Sequence, residues 1–241
     1  MLKSLRIERR APRVTDTDHA TAADGGIDTA TRLAEIDAAH RRLRAGIADL
    51  TDRDARAPIA LPGWSRGHVL IHLADLSRAF ARQARYAVKG LTVEVYDGGR
   101  PTRDRRIEEL HDRPVAWLRE QVEEGLTAVE DAWAALGPDD WDLPCAYRAS
   151  TLRATQLAWW RETALHTVDL SVGHRSEEWS TALAAHVVHF LRPRLGHDVA
   201  LHAEDTGETW RADGDVAPVV VRGTVRCLAA WISGRPHGTA P

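Results

Sequence analysis

The sequence predicts an α+β protein, a four-helix bundle followed by a small mixed domain. Three observations carry this. Four long segments repeat apolar residues at helical intervals, β-branched and alternating residues appear only in the last third, and Gly- and Pro-bearing crossings separate the segments. At 241 residues, 44% hydrophobic and 28% charged, the chain is long enough to bury a substantial core.

Residues 1–27 carry Arg, Asp and Thr with no apolar period and read as a mobile arm. Leu33, Ile36, His40, Leu43, Ile47 and Leu50 then mark helix one, which ends at "TDRDARAP". The turn "LPGWSRG" opens helix two, whose stripe is Val69, His72, Leu73, Leu76 and Phe80, running to about Gly90. "LTVEVYDGGRPTRD" reads as a connection, and residues 104–136 as helix three, adjusted at Pro114. "GPDDWDLPCAYRAST" is a second irregular crossing before helix four, from about Arg153 to a capping Gly173. Helices of this length predict an antiparallel bundle over residues 28–174. From 175 to 241 the texture changes. "TALAAHVVHFLRPRL" is a short helix, "DVALHAEDTGETWRA" alternates about Thr206-Gly207 as a hairpin, and "VAPVVVRGTVRCLAAWISGR" is a strand feeding a helix.

The formal net charge of −3 disfavours a partner tracked through its phosphates, so no nucleic acid is expected. No run is long and apolar enough to span a membrane, and "MLKSLRIERRAPRVTD" lacks the apolar region of a secretory signal, so the expected location is cytoplasmic with no membrane partner. Cys145 and Cys227 are the only cysteines, in no paired spacing, which argues against a disulfide framework or a Cys-rich zinc site.

The incongruous stretch is "RETALHTVDL". Glu162 and His166 stand four apart on one helical face, in a segment where Trp159, Trp160, Leu165, Val168 and Leu170 leave little for solvent. A carboxylate there needs a cation or a donor: an Arg, a protonated His, or a metal ion. In helix two, His68 and His72 are also four apart, but His72 lies on the core stripe and His68 at its edge. His72 with Glu162 and His166 would form a two-histidine, one-carboxylate metal site; a Glu–His hydrogen bond and a satisfied core histidine are the alternatives. Fragments "HAE" and "PC" run in the wrong order for a zinc deaminase, and His186 and His189 suit exposed or capping roles.

"LPGWSRGHVLIHLADL", "WWRETALHTVDL" and "VVVRGTVRCLAAWISGR" together resemble the mycothiol-dependent maleylpyruvate isomerase family, within the wider DinB-like metalloenzymes, over about residues 30–238. The resemblance implies a DinB-like bundle holding a divalent metal, usually zinc, on His72, Glu162 and His166, and a C-terminal domain that helps close the active site. It implies a catalytic Arg235 in the terminal Gly-Arg pair. Asp169, one turn after His166, is a candidate partner for that ligand. The implied reaction uses the low-molecular-weight thiol mycothiol as nucleophile in the cis–trans isomerisation of maleylpyruvate to fumarylpyruvate or of a close analogue. On the same scaffold, a thiol S-transferase conjugating an electrophile and a non-catalytic metal-dependent binding module are the other readings.

Overall fold

The computed structural model describes residues 6–8, 26–211 and 219–236. It falls into two compact units, residues 33–173 and residues 1–32 with 174–241. The α+β class is as the sequence predicts.

In the first unit, α1 (Thr29–Ile47) buries Ile36, His40, Leu43 and Ile47 of the expected stripe, with Ala39 beside them, while Leu33 and Leu50 are half-buried. A short α2 (Asp52–Arg56) follows, capped by a reciprocal pair between Thr51 and Asp54. The central helix is α3 (Arg66–Ala87), which packs on α2, α4 (Gly99–Leu110), α5 (Val115–Ala134) and α6 (Leu152–Asp169). A helix so surrounded must be apolar on most sides, and Val69, Leu70, Ile71, Leu73 and Phe80 are all buried. Its approach to α5 is close because Gly125 has no side chain. A Cβ there would lie 2.8 Å from the Ala74 carbonyl and would collide with Ser77 Oγ.

The segment expected as one helix over 104–136 is two. α4 begins earlier, at Gly99, where Gly98 takes φ +75° and its carbonyl accepts from Thr102 Oγ1 at 2.8 Å. It ends at Leu110, and Pro114, extended at φ −52°, ψ 138°, caps the start of α5. Only Ile107 of α4 is buried, so it leaves almost no apolar period to read. α6 likewise stops at Asp169, and the turn beyond it uses Ser171 (φ +53°) as well as Gly173 (φ +89°). The crossing before it holds a 3-10 turn at Pro138–Asp142 and a small ladder of β2 (Pro144–Cys145) with β3 (Ser150–Thr151).

In the second unit, α7 (Thr181–Leu191) and α8 (Val225–Ile232) pack together beside a sheet of order β1-β6-β4-β5. β4 (Val199–Ala203) and β5 (Thr209–Arg211) form the expected hairpin, with Gly207 at φ +77° in its turn. β6 (Val219–Gly223) returns parallel to β4, and Ala200, Leu201, Val220 and Leu228 are buried. The outer strand β1 (Arg6–Glu8) pairs antiparallel with β6. Residues 6–8 therefore depart from the expected arm: a strand held by ladder bonds to a distant partner needs no local apolar period. The rest of that arm, up to residue 25, lies outside the described residues. His186 also departs from expectation. It is buried, on the face of α7 that carries Leu183, with its ring stacked on Phe190. Among the described residues no helix is long and apolar enough to cross a membrane.

Candidate metal centre

The turn before α3 fixes where its histidines point. Trp64 donates its backbone N–H to the Leu61 carbonyl, Gly63 takes φ +79°, and Ser65 begins the helix. His68 Nδ1 accepts from the Ser65 backbone N–H at 3.1 Å, closing the cap. One turn further on, His72 reaches across to α6. Its Nε2 lies 3.4 Å from Glu162 Oε2, and His166 Nε2 lies 3.3 Å from the same oxygen. The two imidazole rings stand 4.6 Å apart at 80°, and the Trp64 indole borders both.

These separations can be compared with those of a hydrogen bond and of a ligand set. Charge-assisted N–H···O bonds close to about 2.7–2.9 Å. Donor atoms about 2.0–2.1 Å from one tetrahedral ion stand about 3.3–3.4 Å apart along each edge. The two separations from Glu162 Oε2, to His72 Nε2 and to His166 Nε2, match the second spacing, and all three donors lie within 4.8 Å of one another. The remaining nitrogen of His166 is held as a ligand histidine's should be: Nδ1 lies 2.9 Å from Asp169 Oδ2, and Asp169 is buried. Two imidazoles, one carboxylate and a carboxylate behind one imidazole suit a zinc-type ion with a free coordination position.

A second cluster, His68, Glu108 and His111, has the residue types but not the directions. Its two rings are stacked at 3.7 Å and 19°, so their in-plane lone pairs run side by side instead of converging. Glu108 is exposed, and His68 Nδ1 is committed to the helix cap.

The electrostatics follow from burial and mutual contact. Burial pushes the His72 imidazole down to about 4, so the ring is neutral at pH 7 with a lone pair to offer. Burial raises the Glu162 carboxyl, but His166 and His72 outweigh it and hold the group well below the ordinary carboxylate range. Burial lowers His166, and its contacts with Asp169 and Glu162 reverse the sign and leave it raised. The side chain of Glu162 keeps 26% of its surface open.

Against known families, residues 36–171 match the model described as the mycothiol maleylpyruvate isomerase N-terminal domain. The chain belongs to the mycothiol maleylpyruvate isomerase family. The stretch that defines membership contains His72, Glu162, His166 and Asp169, and stops short of Arg235. The crystal structure of the mycothiol-dependent maleylpyruvate isomerase is similar at a TM-score of 0.81 and 18% identity, over 88% of this chain and 92% of that one. A mutant of that enzyme matches equally, at 0.81 and 18%, over 90% and 96%. At this identity the likeness establishes a shared fold. No curated protein matches by sequence.

Of the residues singled out from the sequence of this family member, four assemble: His72, Glu162, His166 and Asp169. Arg235 belongs to the second unit. It follows Gly234 (φ +73°) past the end of α8, its backbone N–H donates to the Ala230 carbonyl at 2.8 Å, and its Nη1 donates to the Ser233 carbonyl at 2.5 Å. Sequence reasoning missed three neighbours of the donor cluster. Trp64 entered only as part of the turn "LPGWSRG", although its ring borders both ligand-type imidazoles. Arg161 places Nη2 3.7 Å from Glu162 Oε1, and Arg103 Nη2 donates to His72 Nδ1 at 2.5 Å. Arg161 sits beside Glu162 in the chain and was findable. Arg103 sits in an Arg-rich helix with no period to single it out.

Proposed function

We propose that the chain is a divalent-metal enzyme, with zinc the ion best suited to its donors, that uses mycothiol to isomerise maleylpyruvate or a close analogue to the trans form. The observation that carries this reading is that His72 Nε2 and His166 Nε2 both stand at a tetrahedral-edge distance from Glu162 Oε2, inside the family-defining domain.

His72, Glu162 and His166 would hold the ion. Bound there, it would lower the proton affinity of a thiol taken up at its free position, supplying a thiolate near neutral pH. Asp169 accepts the Nδ1–H of His166 and so keeps the Nε2 lone pair directed at the site. Trp64 walls the imidazole pair on one side and limits water there. The donor cluster contains no cysteine, so the nucleophile is an external thiol. Addition of its sulfur to the conjugated carbon makes the cis double bond a single bond, rotation follows, and expulsion of the thiolate restores the double bond in trans. Thiol is regenerated and no atoms are gained or lost. Arg235 is proposed as a cationic partner for a substrate carboxylate.

The test offers zinc-loaded protein with mycothiol both maleylpyruvate and a panel of electrophiles, and reads the products by mass spectrometry. A product of unchanged mass with thiol conserved supports the isomerase. Stoichiometric loss of thiol into a conjugate supports S-transfer instead, and bound zinc with neither product refutes an enzymatic role.

A further inference from the structure

The contact between Arg103 and His72 cannot coexist with metal ligation through His72 Nε2. A guanidinium only donates, so at 2.5 Å from Arg103 Nη2 the Nδ1 atom of His72 must present a lone pair. A neutral imidazole bound through Nε2 carries its proton on Nδ1 and is a donor there as well. Two donors face each other, and the cation beside them adds repulsion. Ligation therefore obliges Arg103 to leave His72.

The other atoms of Arg103 indicate what it can do once released. Its Nη1 lies 2.7 Å from Asp104 Oδ1, and its Nε is buried with no hydrogen-bond partner among the described residues. Nε–H and Nη2–H form one edge of the guanidinium, two parallel donors at the spacing of a carboxylate. At present one member of that edge is spent on His72 and the other on nothing. The side chain borders a cavity of about 370 Å³ that also meets Tyr96 and Thr102. The other arginines around this cavity already face carboxylates. Arg106 is bidentate to Asp75 at 3.1 Å, Arg78 meets Glu124 at 2.7 Å, and Arg82 meets Asp97 at 3.7 Å. Arg103 also meets a carboxylate, that of Asp104, but through Nη1, and among these four its Nε–Nη2 edge is the one with no carboxylate on it.

We propose that Arg103 is a substrate-binding residue released by metal ligation: freed from His72 Nδ1, its Nε–Nη2 edge takes a carboxylate of the substrate at the edge of the metal centre. This rests on the metal reading proposed above and adds to it the residue that selects a carboxylate. It also couples the two binding events, since a carboxylate that holds Arg103 away from His72 favours the ligating tautomer, and zinc in turn favours the carboxylate.

The test has two binding measurements, neither of which needs turnover. Zinc affinity is measured by chelator competition for the wild type, Arg103→Ala, Arg103→Lys and His72→Ala. Maleate affinity, without thiol, is measured by calorimetry on the zinc-loaded proteins. Arg103→Ala is expected to bind zinc more tightly than the wild type, by up to about tenfold, because a competing contact is gone, and to bind maleate at least about tenfold more weakly. Arg103→Lys, with a point charge and no fork, should recover only part of the maleate affinity. Zinc affinity that is unchanged or weaker in Arg103→Ala, or maleate binding that is unchanged, overturns the proposal while leaving the metal reading intact. Zinc binding that ignores His72→Ala overturns both.

Discussion

Replacing Asp169 by Asn tests the metal centre through a residue that would not touch the ion. The Asn side chain can still accept from His166 Nδ1 over the 2.9 Å separation, so ring orientation survives and only the charge is removed. A charge-assisted hydrogen bond contributes about 1.5–3 kcal/mol and a neutral one about 0.5–1.5, so the exchange costs roughly 1–1.5 kcal/mol. That corresponds to about a tenfold weaker zinc affinity; Asp169→Ala, which also frees the ring, should approach a hundredfold. A counter-effect acts at low pH. Burial lowers the His166 pKa, but Asp169 and Glu162 raise it above its ordinary value, so a proton competes with metal for this nitrogen. Asp169→Asn weakens that competitor as well, and the gap between variant and wild type should narrow as pH falls below neutral. Competition with a chromophoric chelator at pH 8 and at pH 6 reads both effects. A zinc affinity for Asp169→Asn within about twofold of wild type at pH 8 would refute the assignment of His166 as a ligand oriented by Asp169.

Four further outcomes are expected. Glu162→Gln should deplete bound zinc while His68→Ala largely retains it, since His68 is committed to Ser65; metal analysis showing the reverse would move the site to the second cluster. In Glu130, burial raises the carboxyl, but His40 and Arg44 outweigh it and bring the group to about 2. The unfolded chain takes up this proton first as pH falls. The stabilisation, about 1–2 kcal/mol after allowance for partial exposure, is complete above about pH 4.5 and disappears toward pH 2. Glu130→Gln should remove that part of the acid dependence in denaturant melts. Gly125→Ala should lower the denaturation midpoint by a net of about 1–2 kcal/mol, as overpacking at Ala74 and Ser77 exceeds the gain in helix propensity; an unchanged midpoint would contradict the close α3–α5 approach. Arg235→Ala should leave zinc content and melting intact and lower kcat/KM by roughly 10- to 100-fold; wild-type kinetics would remove it from the active site.

The residues readable in advance were those that contradicted their surroundings. Helical phase survives in sequence, so His72 on an apolar stripe and the Glu162–His166 pair on an otherwise buried helix stood out as polar groups where burial was expected, and they do converge. His186 is buried as well, with its ring stacked on Phe190, and the sequence reading placed it at the surface because a short amphipathic helix leaves the buried face of a histidine open to either reading. Arg103 is the opposite case. In a helix with only Ile107 buried and several other arginines, one more arginine is what an exposed face requires, and nothing local distinguishes it. Its role depends on how α4 lies against α3, which is set by the break before Pro114 and by Gly67. There a Cβ would strike the His111 carbonyl, so the chain at the end of α4 can approach the start of α3 only over a glycine. The ligand set is written in the phase of two helices, whereas a residue that would act on a ligand from a third helix is written in the contacts that place that helix. Signals of that second kind are steric and non-local, and Gly67 was legible as one only after its neighbour was known.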